Sequence, residues 1–167
     1  RGKVRRWYAT HQGVVKLAIG YRGDSEAVMY AVNGRQLTEF SAPEYDSEIT
    51  PRPLGFAADQ ESVYMSMTNG EDRHGIYRVN LSDGRVLDTL YRDPEFDVFG
   101  GVIIHPVTAA AVGVRYLGHH PRQVFFDPEL DALFAQMREQ LPGTQMGLVS
   151  TDALYTKFVL KAYGGIA

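Results

Sequence analysis

Gly55-Phe56-Ala57-Ala58-Asp59-Gln60-Glu61, Ser62-Val63-Tyr64-Met65-Ser66-Met67, Asn69-Gly70, Gly75-Ile76-Tyr77-Arg78-Val79-Asn80, Ser82-Asp83-Gly84, Arg85-Val86-Leu87-Asp88-Thr89-Leu90-Tyr91: the reading of this run decides the fold. Short β-branched and aromatic segments alternate with Asp, Asn and Gly clusters. Those clusters supply the positive φ angles of tight hairpin turns, so the run predicts four antiparallel strands in a meander. The unit recurs about 47 residues upstream, where Val15-Lys16-Leu17-Ala18-Ile19 falls under Val63 to Met67. Met29-Tyr30-Ala31-Val32-Asn33-Gly34-Arg35 then falls under Ile76 to Arg85. The same step forward places Ala111 to Val114 and Val124 to Asp127 on the second and third strands. A four-stranded unit at this period is the sequence pattern of β-propeller blades.

The chain in order fits this frame. Arg1 to Arg6 reads as the tail of a preceding strand, Trp7-Tyr8-Ala9 as a first inner strand and His11-Gln12-Gly13 as its turn. Val14 to Tyr21, Glu26 to Val32 and Arg35 to Phe40 follow as strands, with Asn33-Gly34 as a two-residue hairpin turn. Ser41 to Pro53 carries three of the eight prolines and reads as a crossing loop. Gly101 to His105, Ala110 to Tyr116 and Gln123 to Asp127 give the third unit. Asp127-Pro128-Glu129 then starts a helix: Asp caps, Pro suits the first turn and Glu favours the positive end. Leu130, Leu133, Phe134, Met137 and Leu141 follow at helical spacing until Pro142-Gly143, which predicts an amphipathic helix over Pro128 to Gln140 that packs this stripe inward. The helix stands in for the outer strand of the third unit. Met146 to Ser150 and Tyr155 to Ala162 begin a fourth. The expected fold class is all-β: a partial β-propeller of four-stranded antiparallel blades, three plus a partial fourth, with one short helix. It forms one domain over 1–167, with repeats near 7–53, 54–100, 101–145 and 146–167.

Composition narrows the function classes. Net charge is -3 with both signs interspersed, against a nucleic-acid footprint or a polybasic membrane patch. No apolar run reaches membrane-spanning length. The absence of cysteine excludes structural disulfides and thiolate metal sites, and leaves both cytoplasm and periplasm open. Arg1 stands where an initiator Met would, and the chain reads as a piece of something longer.

Val124-Phe125-Phe126-Asp127-Pro128-Glu129-Leu130, the short helix and Leu141-Pro142-Gly143 resemble the propeller domain of bacterial prolyl-oligopeptidase-like serine peptidases, of the acylaminoacyl-peptidase-like kind. The Gly101 to Tyr116 stretch and the start around Lys3-Val4-Arg5 are also similar to that family. The resemblance implies a non-catalytic segment that gates and filters peptide substrates, with a C-terminal α/β-hydrolase domain as partner. It also implies a serine peptidase as parent and no cofactor. The family's Ser, Asp and His triad has no counterpart here. The nearest approach to a Gly-x-Ser-x-Gly elbow, Gly23-Asp24-Ser25-Glu26-Ala27, lies between hairpin strands and lacks the final Gly. The chain alone is therefore expected to have no peptidase activity.

The remaining candidates are few. His11, His74, His105, His119 and His120 show no metal-ligand spacing on a helix and read as turn histidines. Glu44, Asp46 and Glu48 alternate along an extended segment; they read as a solvated loop, or as channel acids that attract a peptide amino terminus, as in some relatives. No Gly-rich phosphate loop is present. Two other functions fit a propeller: a stand-alone binding or scaffold module, and a lactonase-like hydrolase with channel-bound metal, for which the inner strands are too apolar. An open arc of blades is also expected to self-associate, since its first blade leaves an apolar flank and its last an unpaired edge.

Overall fold

The computed structural model describes residues 3–23, 26–40, 52–152, 154 and 156–164. The chain forms two compact units, Arg1–Phe99 and Gly100–Ala167. All the sheets are antiparallel, and each follows chain order strand by strand.

The first unit holds two four-stranded meanders. β1 (Lys3–Ala9), β2 (Val15–Arg22), β3 (Glu26–Asn33) and β4 (Gln36–Phe40) make one; β5 (Arg52–Phe56), β6 (Ser62–Met67), β7 (Gly75–Asn80) and β8 (Val86–Tyr91) make the other. Alternation along the strands decides what is buried. Leu17, Ile19, Met29 and Phe40 from the first sheet share a core with Phe56, Val63, Met65 and Val79 from the second. Residues of the opposite parity in the first sheet, Ala18, Val28, Tyr30 and Val32, form a second buried cluster, none more than 7% exposed. The expected wet flank on the first sheet is thus corrected at these positions: both faces are covered, which is why β2 and β3 read as near-continuous apolar runs.

Three boundaries differ from expectation. The basic opening is part of β1 itself, paired along β2 from Lys3↔Tyr21 to Ala9↔Val15. The hairpin between β3 and β4 turns on Gly34-Arg35, enclosed by the pair Asn33↔Gln36, with positive φ at Gly34 (58°) and not at Arg35. That is the residue pattern of a type II′ turn, so the Gly is the first central residue. Pro53 lies inside β5, paired with Met65. β5 is an edge strand, where a missing N–H costs no ladder bond.

The second unit is built from smaller sheets. β9 (Gly101–Ile104), β10 (Ala111–Leu117) and β11 (Pro121–Phe125) form three strands; β12 (Gln145–Thr151) and β13 (Phe158–Tyr163) form two. Between them α1 spans Pro128–Gln140, as its sequence predicts. Asp127 caps it by accepting from the N–H of Glu129 and Leu130, both at 3.0 Å. Leu130 and Phe134 are buried, Leu133 and Met137 half-buried. Leu141 is the C-cap and stays 47% exposed, which shortens the expected stripe by one residue. The core here joins Val112, Phe125, Leu130, Phe134 and Leu148, with the Phe125 and Phe134 ring centroids 4.5 Å apart.

One turn recurs four times. After the first strand of each sheet, a backbone N–H closes the turn onto a carbonyl four or five residues on. The pairs are Thr10 to Val14 (2.8 Å), Ala57 to Ser62 (2.9 Å), His105 to Ala110 (2.8 Å) and Asp152 to Lys157 (3.0 Å). The steps between copies are 47, 48 and 47 residues. Gly13, Gln60 and Ala109 carry a positive φ near the end of the first three copies. The sequence period is therefore a period of structure, at the level of single hydrogen bonds.

Candidate functional site

The loop acids Glu44, Asp46 and Glu48 lie outside the described residues, as do Ser25 of the imperfect elbow and Tyr155. The five histidines are dispersed. Among the described residues, no three His, Asp or Glu side chains gather as metal ligands. His105 is structural. Its Nδ1 accepts from the N–H of Val107 and Thr108, both at 3.2 Å.

His74 lies beside an acid, Asp97, which meets it in two ways. The His74 backbone N–H donates to Asp97 Oδ1 at 2.7 Å, while its ring Nδ1 is 3.6 Å away, beyond hydrogen-bond length. The ring stacks on Phe99 with centroids 4.1 Å apart. Ser66 donates its hydroxyl proton to the Val98 carbonyl at 3.0 Å, so it is aimed at backbone and not primed as a nucleophile. These groups fix the exit of β8 against the β6–β7 loop.

An ionic network lies across the second sheet, where Tyr64↔Arg78 and Arg78↔Asp88 are cross-strand pairs. Arg78 grips Asp88 Oδ2 through Nε (2.9 Å) and Nη2 (2.6 Å), and reaches Asp59 Oδ2 through Nη1 at 3.4 Å. Asp59 also accepts from Ser62 Oγ (2.8 Å) and from the N–H of Glu61 and Ser62 (2.9 Å each). Burial disfavours the Asp59 carboxylate, but these hydrogen bonds and Arg78 outweigh it and hold the group below its ordinary range. Burial pushes the Tyr64 phenol up, so it stays protonated at neutral pH. Every charge in the network is matched. The arrangement is a brace between strands.

Two concave features stand out among the described residues. In the first unit a cleft of about 390 Å³ has Ala31, Val32 and Leu81 on its floor, and Lys16 bridges Glu61 at 2.8 Å within it. Its two opposite charges satisfy each other. In the second unit a groove of about 150 Å³ runs between residues 102–104 of β9 and 148–151 of β12, with Arg115 from β10 at its side. Gln123 fixes the β12 wall by clamping Leu148 from both sides: the Leu148 N–H donates to Oε1 at 2.8 Å, and Nε2 donates to the Leu148 carbonyl at 3.2 Å. Gly147 leaves room for that amide, since a Cβ there would sit 3.4 Å from Gln123 Nε2. The groove is thus bounded by two successive first strands held in place by a side-chain clamp.

The sequence carries no signal for this groove. It depends on a cross-strand pair, Arg115↔Gly101, whose members are 14 residues apart and carry no motif. Comparison with protein-family models, with curated proteins and with solved structures finds no match for this chain.

Proposed function

We propose that this chain is a section of a β-propeller, three blades and part of a fourth, and that it serves a serine peptidase as a non-catalytic gate and filter for peptide substrates. The observation that carries the propeller reading is the fourfold turn, spaced 47 or 48 residues apart and placed each time after an edge strand. Blades of a propeller repeat in this way, with the first strand of each lining a central channel. That β9 and β12 border one groove supports the same reading. The peptidase assignment rests on the helix insertion at Asp127 and its surroundings, which resemble the prolyl-oligopeptidase-like propellers. In that reading the chemistry belongs to an α/β-hydrolase domain, and no residue of this chain touches the reacting atoms.

The reading frame beyond Ala167 tests this directly. It should encode a Gly-x-Ser-x-Gly elbow between a strand and a helix. In the whole protein, removal of residues 1–167 should raise cleavage of long polypeptides relative to short peptides. A frame without a hydrolase domain, or an unchanged size preference, refutes the proposal. The isolated chain should give no turnover of aminoacyl or acyl-aminoacyl chromogenic substrates.

The same reading makes the isolated chain self-associate through its two-stranded sheet. Among the described residues β13 pairs only with β12, and Val149 and Val159 are 56% and 58% exposed. An open edge beside wet apolar side chains is a template for strand addition. Sedimentation at micromolar concentration should show a dimer. A monomer with β13 amides protected from exchange would refute it.

A further inference from the structure

We infer that the groove between β9 and β12 is an anion site that takes a carboxylate on Arg115. The groove carries one cation and no acid: Arg115 lines it together with residues 102–104 and 148–151. Among the described residues no carboxylate pairs with this guanidinium, whose residue is exposed on β10. A guanidinium that meets no acid in its groove keeps its donors available to an incoming anion.

The backbone holds that side chain in position. Gly101 lies opposite Arg115 on the neighbouring strand, and a Cβ at Gly101 would fall 3.1 Å from Arg115 Nε and 3.7 Å from its Cγ. The arginine arm therefore lies across a strand position that has no side chain. The far wall is fixed by the Gln123 clamp on Leu148. Ser150 and Thr151 on that wall add hydroxyl donors.

Size and charge select the ligand. A groove of about 150 Å³ holds a small group, on the order of five waters' worth of volume. One planar guanidinium matches one planar carboxylate in a two-bond fork. A phosphate dianion would call for a second cation, and the groove has none. The lining mixes polar surface with Val102, Ile103, Ile104, Leu148 and Val149, which suits the amide and short side chain next to a carboxyl terminus. The carboxylate follows from the groove alone. Assigning it to the free carboxyl end of a peptide rests on the substrate-filter reading above.

Amide-resolved NMR titration of the 167-residue chain decides the matter. The probes are N-acetyl-dialanine as the free acid, the same peptide as its C-terminal amide, butyrate and inorganic phosphate. The free acid should shift the amides of residues 102–104 and 148–151 at millimolar concentration. Binding should weaken roughly tenfold or more for the amide, and as much for the free acid on Arg115→Gln. Arg115→Lys keeps the charge but loses the fork, and should fall between. Butyrate bound as well as the peptide acid, with the same dependence on Arg115, upholds the carboxylate site and removes the peptide reading. Equal binding of acid and amide, undiminished binding to Arg115→Gln, tighter binding of phosphate, or no shift in the groove each overturn the site. Unchanged amide positions away from the groove in the two variants show that the fold is retained.

Discussion

The two units solve the same problem with different parts. In the first, two complete meanders cover each other, and the core is sheet on sheet: Leu17, Ile19 and Met29 against Val63, Met65 and Val79. In the second, the sheets have three strands and two, and α1 supplies Leu130 and Phe134 to the shared core. Both units nevertheless repeat the same turn after each first strand. The difference teaches that the turn and the first strand are the fixed part of the repeat, and the outer strand is replaceable. An outer strand contributes one ladder and one apolar face. A capped helix with two deeply buried side chains replaces the face, and its own hydrogen bonds make the lost ladder unnecessary.

The sharpest way to break this comparison is at a glycine. A Cβ on Gly100 would stand 1.6 Å from the Arg115 carbonyl oxygen and 2.9 Å from Tyr116 Cα, so backbone must move against backbone. In the first unit, a Cβ on Gly75 would stand 2.7 Å from Arg92 Cγ and 3.1 Å from both Tyr77 Cε2 and the Tyr91 carbonyl oxygen, so the neighbours must shift by less than at Gly100. Gly100→Ala should therefore unpair β9 from β10 and cost about 4 kcal/mol or more, the range of severe lesions. Gly75→Ala should cost far less. Urea denaturation followed by circular dichroism compares them. Similar midpoints for the two variants would show that β9 need not lie where it does.

Next in size is the helix that replaces the strand. Phe134 is 1% exposed and packs on Phe125. Phe134→Ala should destabilise by about 3–5 kcal/mol, the usual loss for a buried aromatic truncation. Hydrogen exchange should rise first in β11, α1 and β12. A loss within experimental error would mean that the helix decorates the sheet without completing its core.

Much of this architecture is legible in the sequence because turn chemistry is local. Asp, Asn and Gly clusters mark the hairpins, and Asp127, Pro128 and Pro142-Gly143 place both ends of α1. Hydrophobic period locates the strands that bury one or both faces. What escapes is whatever depends on pairing. Lys3 to Arg6 reads as a polar tail because strand pairing with β2, and not burial, makes it a strand. Pro53 reads as loop because edge position, which excuses a proline, is a property of the sheet. The Arg115 groove is invisible for the same reason. Glu44, Asp46 and Glu48 stand out only through their spacing, a weak guide in a segment with three prolines nearby.

The smallest expected effect concerns how each unit secures its turns, and it separates the copies by pH. In each unit one copy uses a carboxylate: Asp59 in the second turn and Asp152 in the fourth. Asp152 Oδ1 accepts from the N–H of Thr156 (2.7 Å) and Lys157 (2.8 Å), and Oδ2 accepts from Thr156 Oγ1 (2.8 Å). The Lys157 N–H leads in holding Asp152 below its ordinary range, against a smaller opposing push from desolvation. At Asp59 desolvation pushes up, and the Ser62, Glu61 and Arg78 contacts overcome it. The first and third copies carry Thr10 and His105 at the head of the turn, and in the third the His105 ring nitrogen takes the turn N–H groups of Val107 and Thr108. A carboxylate whose folded pKa lies below its unfolded value of about 3.9 binds protons more weakly folded than unfolded. Its stabilisation is complete above that unfolded value and is lost as pH falls through the folded one. Nothing is expected from either group between pH 5 and 7. Below about pH 4 both turns should weaken together. Carboxyl-carbon NMR should show Asp59 and Asp152 titrating below free aspartate. Asp59→Asn and Asp152→Asn keep an acceptor oxygen but not the charge, so each should flatten part of the fall in urea midpoint between pH 5 and 3. If both variants fall as steeply as the parent chain, the carboxylates do not secure these turns through charge, and the four copies are equivalent in acid.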